Sequence, residues 1–340
     1  MTRLTKLASL MAGAAMALSA SIATAADYTL TISSWTPPTH GINAKMWPAF
    51  IKMIEDATDG RVTAEVKLDL VPPPAQIDLI EDGGADVSII FHGYQPGRFV
   101  SAKLIELPGY PGTAERGSVT HWRAWNKYFT GLDEHKGVKL IGLTTHGPAT
   151  LHTVDPVASL DDINGLKLRV PGGVGSEVAA ALGATGIQVP APKVYETLAS
   201  RAADGVVITT ESRKGFRLTE VAKHMYMMPG GLYRGSFAII MNPETFDSLP
   251  ADIQQALEEK VFGEPVSAAF GRVWDEIDEI GLEATKAEAD NTITIATEAD
   301  HVKYTALTKA IIDKVIAEVA ATGVDAQAAY DFMMQEMSAQ

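Results

Sequence analysis

The chain has 340 residues, no cysteine, and 28 basic against 42 acidic residues, a formal charge of −14. Without cysteine there are no disulfides, thiolate nucleophiles, zinc–thiolate sites or acylated-cysteine anchor, so stability has to come from an apolar core. The acidic balance disfavours nucleic acid and anionic membrane as partners.

At the amino end, Arg3 and Lys6 precede an apolar stretch from Leu7 to about Leu18, and Ala23-Thr24-Ala25 offers the small residues a signal peptidase reads. A signal peptide over 1–25, cleaved after about Ala25, is expected, and with it an exported, periplasmic protein. The stretch is too short for a spanning helix, and nothing later approaches the roughly 20 apolar residues a span needs, so no membrane insertion is expected. Cleavage removes two basic residues and no acidic one, which leaves 26 against 42, a charge of −16. About 315 residues remain, a length that suggests two lobes at typical domain sizes.

Tyr28 to Ser33 alternates as a strand and runs into Trp35-Thr36-Pro37-Pro38-Thr39-His40, whose prolines forbid helix until about Gly41. Ala44 to Ala57 carries apolar residues near helical spacing, Val62 to Leu68 alternates as a second strand, and Gln76 to Asp82 reads as a short helix. Ala85 to Phe91 is an apolar strand buried on both faces that opens into His92-Gly93-Tyr94. A helix holding Trp122, Trp125 and Phe129 and a strand from Val138 to Thr144 complete a first lobe over 26–147. The second lobe, 148–236, holds a strand Leu166 to Val170, a helix Ser176 to Leu182, the run Ile187 to Pro190, a helix Pro192 to Arg201 and a strand Gly205 to Thr209. Phe237 to Met241 is a further strand, 250–288 is helical throughout, Thr292 to Ala296 is a short strand and 300–340 is helical. Such alternation of strand and helix predicts an α/β fold with largely parallel sheets.

The most telling residue is Arg169, in Gly165-Leu166-Lys167-Leu168-Arg169-Val170-Pro171-Gly172-Gly173. Pro171 and two glycines stop the strand, so Arg169 projects near its carboxyl end, where open α/β sheets bind ligands. Its planar fork of donors suits a carboxylate or phosphate; a structural ion pair is the other reading. The glycine loop that follows lacks a P-loop ending, and the third glycine of a dinucleotide fingerprint would fall on Val178, so no nucleotide cofactor is expected. The eight histidines include no HExxH or i, i+4 pair, so no metal site is expected, and no serine stands in a nucleophile-elbow context. Aromatic and polar side chains recur instead after strand ends: Trp35 to His40, Phe91 to Tyr94, Thr144 to His152, Thr209 to Arg213 and Tyr233-Arg234. Loops of that composition converging on one cleft form a small-molecule site.

The run Gly-Leu-Lys-Leu-Arg-Val-Pro, preceded by Ser159-Leu160-Asp161-Asp162-Ile163-Asn164, resembles the solute-binding proteins of tripartite ATP-independent periplasmic (TRAP) transporters, the DctP-like family. Thr58-Asp59-Gly60-Arg61-Val62, Gly84-Ala85-Asp86-Val87, Glu106-Leu107-Pro108, Val194-Tyr195-Glu196-Thr197-Leu198, Ala203-Asp204-Gly205-Val206, Thr219-Glu220-Val221-Ala222-Lys223 and Asn242-Pro243-Glu244-Thr245-Phe246 agree as well, collinearly over nearly the whole mature chain. The resemblance implies a periplasmic-binding-protein-like fold: two α/β lobes around a ligand cleft, crossing strands, return segments to the first lobe from about 237–275, and a long interlobe helix that 250–288 matches. It implies that Arg169 pairs with a ligand carboxylate, that the small and large membrane subunits of a transporter are partners, and that uptake is driven by an ion gradient. Two departures weigh against a simple C4-dicarboxylate. Gly147-Pro148-Ala149-Thr150-Leu151-His152 lacks the second arginine many relatives carry, and Val206 to Glu211 lacks their asparagine or tryptophan. A monocarboxylate with a polar, aromatic or zwitterionic remainder fits at least as well. The expected site is Arg169 with Trp35, Phe91, Tyr94 and Tyr233 as walls, Thr150, Thr209 and Thr210 orienting polar groups, and His40, His92 and His146 beside them. An exported hydrolase or lyase acting on an organic acid, or a periplasmic ligand sensor, is the alternative.

Overall fold

The computed structural model describes residues 26–339, so the expected signal peptide and its cleavage site lie outside the described residues. Four strands open the chain: β1 (Tyr28–Ser34), β2 (Val62–Leu68), β3 (Val87–Phe91) and β4 (Lys139–Thr145). Five follow, β5 (Thr150–Thr153), β6 (Lys167–Val170), β7 (Thr185–Gln188), β8 (Gly205–Ile208) and β9 (His224–Met227), and then β10 (Ser236–Met241) and β11 (Thr292–Ile295). They form two sheets, one in the order β2-β1-β3-β10-β4 and the other β11-β9-β5-β8-β6-β7.

The sheets are largely parallel, as expected, but each holds one reversed strand. β1 runs parallel to β2 and β3, but β10 is antiparallel to both of its neighbours, and β5 is antiparallel to β8 and β9. The reason is connectivity: β10 returns from the second sheet and inserts between β3 and β4 from the opposite direction. That insertion and the passage from β4 to β5 tie the two sheets together through two crossing segments. β5 and β9 escaped the sequence reading because Thr-Leu-His-Thr and His-Met-Tyr-Met lack the apolar alternation of a strand, yet all four residues of β5 are buried.

Apolar pattern explains the rest of the first layer. All five residues of β3 are buried, as a central strand covered on both faces requires. Its one polar side chain is satisfied, since Ser88 Oγ donates to Ser33 O at 2.9 Å and meets Gln76 Oε1 at 2.7 Å. The helix Trp47–Ala57 continues from a π-helical turn, Ile42–Met46, with Pro48 at the junction, and packs Trp47 edge-on against Phe270, ring centroids 5.7 Å apart. Full burial of rings of that size stabilises by about 1.5–3 kcal/mol each.

The single helix expected over 250–288 is two, Ala251–Lys260 and Glu264–Ala287. Gly263 separates them with φ +80°, a left-handed conformation that ends one helix and restarts the chain at Pro265 in the next. The second helix bridges the layers. Its Asp275 accepts from Ala114 N and Glu115 N at 2.7 and 3.0 Å, capping the helix Ala114–Ala124 of the first layer. Three residues on, Asp278 accepts from Glu211 N at 2.7 Å, just past β8 of the second sheet. Two further helices, Glu298–Ala320 and Ala326–Ser338, close the chain.

Candidate functional site

The carboxyl ends of β1, β3, β4, β6 and β8 deliver the residues that face one another between the sheets. Trp35 follows β1, Phe91 ends β3, His146 follows β4, Arg169 is the penultimate residue of β6 and Thr209 follows β8. They enclose a cavity with about 400 Å³ of atom-free space, its mouth included. Eight of the eleven expected residues line it: Trp35, His40, Phe91, Tyr94, His146, Arg169, Thr209 and Tyr233. This is the crevice at strand ends where open α/β sheets place ligands.

Arg169 is 1 % exposed, yet none of the ion pairs among the described residues includes it. Its Nε donates to Val189 O at 2.8 Å and its Nη2 to Tyr94 Oη at 3.4 Å, while Nη1 has no partner among the described residues. Tyr94 reaches across from the end of β3 and also accepts from Ala191 N at 2.8 Å, so one phenol links the two layers over the guanidinium. The Tyr233 ring packs close to Gly175 Cα, where any added Cβ would fall 3.0 Å from Cζ. Burial pushes the Tyr233 hydroxyl well above its ordinary range, so it stays a neutral donor.

Aromatic rings make the walls. Phe91 meets Tyr94 at 4.8 Å and Phe237 at 5.1 Å between centroids, and Phe237 lies against Trp274 at 5.3 Å. At the far side sits Glu211, fully buried. Burial pushes its carboxyl up, but the His40 ring and hydrogen bonds from His40, Ser212 and Thr209 outweigh that and hold it below its ordinary value. Since His40 Nδ1 accepts from Ile42 N at 3.2 Å, the ring proton sits on Nε2 and faces Glu211 Oε2 at 3.2 Å. Ser212 Oγ at 2.8 Å and Thr209 Oγ1 at 3.2 Å complete a cradle that occupies three of the carboxylate's four lone pairs.

Three expected residues lie elsewhere. His92 turns to the opposite side of the first sheet, with Nδ1 on Ser236 Oγ at 2.9 Å and Nε2 facing His135 Nε2 at 3.3 Å. Thr150 spends its hydroxyl on His152 Nε2 at 2.9 Å. Together with Thr210, it borders a separate surface cleft that Met227, Pro229 and Asp278 also line. The reading missed Glu211, Phe216, Phe237 and Trp274, all of which line the cavity. Glu211 stood inside a flagged loop; Trp274 and Phe237 gave only a core signal on a helix and a strand. Among the described residues no group of three or more His, Asp or Glu is placed to hold a metal ion.

Known proteins share this fold. A TRAP periplasmic solute-binding protein from Bordetella bronchiseptica, solved with bound (R)- and (S)-mandelate, is 35% identical and superposes with a TM-score of 0.87 over 91% of this chain and 98% of its own. A marine metagenome TRAP solute-binding protein specific for aromatic acid ligands, solved with 3-hydroxybenzoate, is 25% identical with a TM-score of 0.84, covering 91% and 98%. A solute-binding protein of Sulfitobacter sp. (strain NAS-14.1) is 26% identical over 336 residues, 95% of this chain and 97% of its own. The model for DctP, bacterial extracellular solute-binding protein family 7, matches residues 33–318. With cavity, fold and sequence in agreement, the chain belongs to the DctP family and is a solute-binding protein of the TRAP type.

Proposed function

We propose that the protein captures an aromatic monocarboxylate in the periplasm, with Arg169 pairing with the carboxylate, and hands it to the small and large membrane subunits of a TRAP transporter. The carrying observation is the buried guanidinium that has no carboxylate within ion-pair reach among the described residues. An uncompensated buried charge costs several kcal/mol, and a ligand carboxylate at Nη1 supplies the missing partner. The remainder of the cavity is ringed by Trp35, Phe91, Tyr94, Phe237 and Trp274, which suits a flat apolar body. A second cation, which a dicarboxylate would call for, is absent among the lining residues. The mandelate and aromatic-acid ligands of the two similar structures support the same class.

Because the lining residues are almost wholly inaccessible, a ligand enters only when the lobes separate. Tyr94, linked to Arg169 and Ala191 across the layers, closes over it. Hinge closure of this kind is what a membrane partner can sense. The family consists of binding proteins, which sets aside the exported hydrolase or lyase. Among the described residues no helix is long and apolar enough to cross a membrane.

A thermal-shift panel tests the ligand class, since a compound binding only the folded form raises the melting midpoint. Aromatic monocarboxylic acids are expected to raise it and their primary amides are not. A midpoint raised only by C4-dicarboxylates or sugar acids would overturn the proposal.

A further inference from the structure

Deep in the cavity wall, His146 is 4 % exposed and surrounded by rings: Tyr233 at 5.5 Å, Phe237 at 6.0 Å and Trp274 at 6.1 Å between centroids, all edge-on. Its Nδ1 lies 2.6 Å from Gly147 O and 3.2 Å from Gly235 N. Gly147 O and the Gly235 N–H ask for opposite states of Nδ1; two lone pairs facing each other at 2.6 Å repel more than two N–H groups at 3.2 Å, so the shorter contact places the ring proton on Nδ1, donating to Gly147 O. Nε2 is then an acceptor. It has no partner among the described residues, yet it is not one of the polar atoms sealed from solvent without a partner. Beside it, Trp274 Nε1 is a buried donor that donates to nothing among the described residues. Burial pushes the His146 ring down to about 4, so it stays neutral and its Nε2 stays an acceptor at periplasmic pH.

An unpaired acceptor buried among aromatic rings costs free energy until a donor reaches it. Of the other polar groups of the cavity, Glu211 already takes hydrogen bonds from His40, Ser212 and Thr209, Arg169 can only donate, and the Tyr233 hydroxyl can do either. We infer that His146 Nε2 reads a hydroxyl on the ligand, so that the protein selects hydroxylated aromatic acids over their deoxy analogues. The inference rests on the aromatic-monocarboxylate reading above and adds to it which member of that class is preferred. A site built to take a ligand O–H discriminates against the analogue lacking it, because the acceptor is left bare.

Calorimetry on two matched pairs, mandelate with phenylacetate and 3-hydroxybenzoate with benzoate, tests this. Wild type is expected to bind the hydroxylated member at least about 10-fold more tightly in one pair or both. His146→Phe should bring that ratio to about 1 while still binding the deoxy acid, and His146→Gln, whose Oε1 accepts, should restore part of it. The ¹⁵N signal of Nε2 should move with the hydroxylated ligand and not with its analogue, a readout that a purely structural histidine would not give. A ratio near 1 in wild type, or an unchanged ratio in His146→Phe, would overturn the inference and leave the aromatic reading intact. Binding of neither member of either pair would overturn both.

Discussion

Three arginines, Arg169, Arg213 and Arg234, are among the largest fully buried side chains, and they are buried in different ways. Arg213 spends its whole fork on its own chain: Nε donates to Thr285 Oγ1 at 2.9 Å, Nη1 to Ala222 O and Nη2 to Asn291 Oδ1. Arg234 is held by Thr113 O and Gly112 O beneath the helix Ala114–Ala124. Burial pushes both guanidinium groups down to about 10, still charged at neutral pH. Arg169 alone of the three both lines the cavity and keeps Nη1 free. A buried cation is therefore a structural tie where both Nη ends of its fork are held by its own chain, as in Arg213 and in Arg234, whose Nε alone lacks a partner, and a binding group where a free Nη faces the cavity.

The sharpest way to break this comparison is to exchange the phenotypes. Arg213→Met leaves Ala222 O and Asn291 without a donor and should cost about 2–5 kcal/mol of stability, read by denaturant unfolding, while the folded fraction keeps its ligand affinity within a few-fold. Arg169→Met should do the reverse, with little loss of melting temperature and loss of binding. If Arg213→Met unfolds no more readily than Arg169→Met, the division between tie and binding group fails.

The buried polar groups behind the sheets give a smaller, pH-dependent contrast. Burial holds His121 and His152 down at about 3 and His146 at about 4. Each is neutral in the folded state while the unfolded chain takes up a proton below about 6.5, so stability is full above that pH and is lost as pH falls. At pH 5 the loss is about 2 kcal/mol per histidine. Glu106 works in the other direction. Burial raises it to about 7 despite hydrogen bonds from Ser236 and Val174 N, so its contribution is present below about 4.5 and is lost as pH rises through 7. Between pH 5 and 7 Glu106 offsets about one histidine's share of the gain, so melting temperatures recorded from pH 5 to 8 should rise and level off above about 7. Glu106→Gln should steepen the rise between pH 5 and 7; an unchanged slope would show that the carboxyl does not titrate there.

What the sequence made legible follows from the same physics. Arg169 was readable because proline and glycine stop β6 right after it, which puts a cation at a strand's carboxyl end. The loop aromatics followed by the same rule. Trp274 and Phe237 were not readable, since a ring on a long helix or a buried strand looks like core until the opposite layer is in place. Thr150 and Thr210 were misplaced because nearness to a strand end does not tell which of two neighbouring clefts a side chain borders. The split of 250–288 turns on Gly263 alone, in a pattern otherwise helical on both sides. The reversed strand in each sheet, β10 in the first and β5 in the second, comes from the chain crossing between them, a long-range pairing that local pattern does not encode.

The account stands on the free face of Arg169, and isothermal calorimetry of an aromatic monocarboxylate on wild type and Arg169→Ala tests it most directly. Loss of Arg169, the only arginine or lysine among the described residues that line the cavity, should weaken binding by at least about 100-fold, with the melting temperature of the ligand-free protein nearly unchanged. Equal affinities in the two proteins would contradict it.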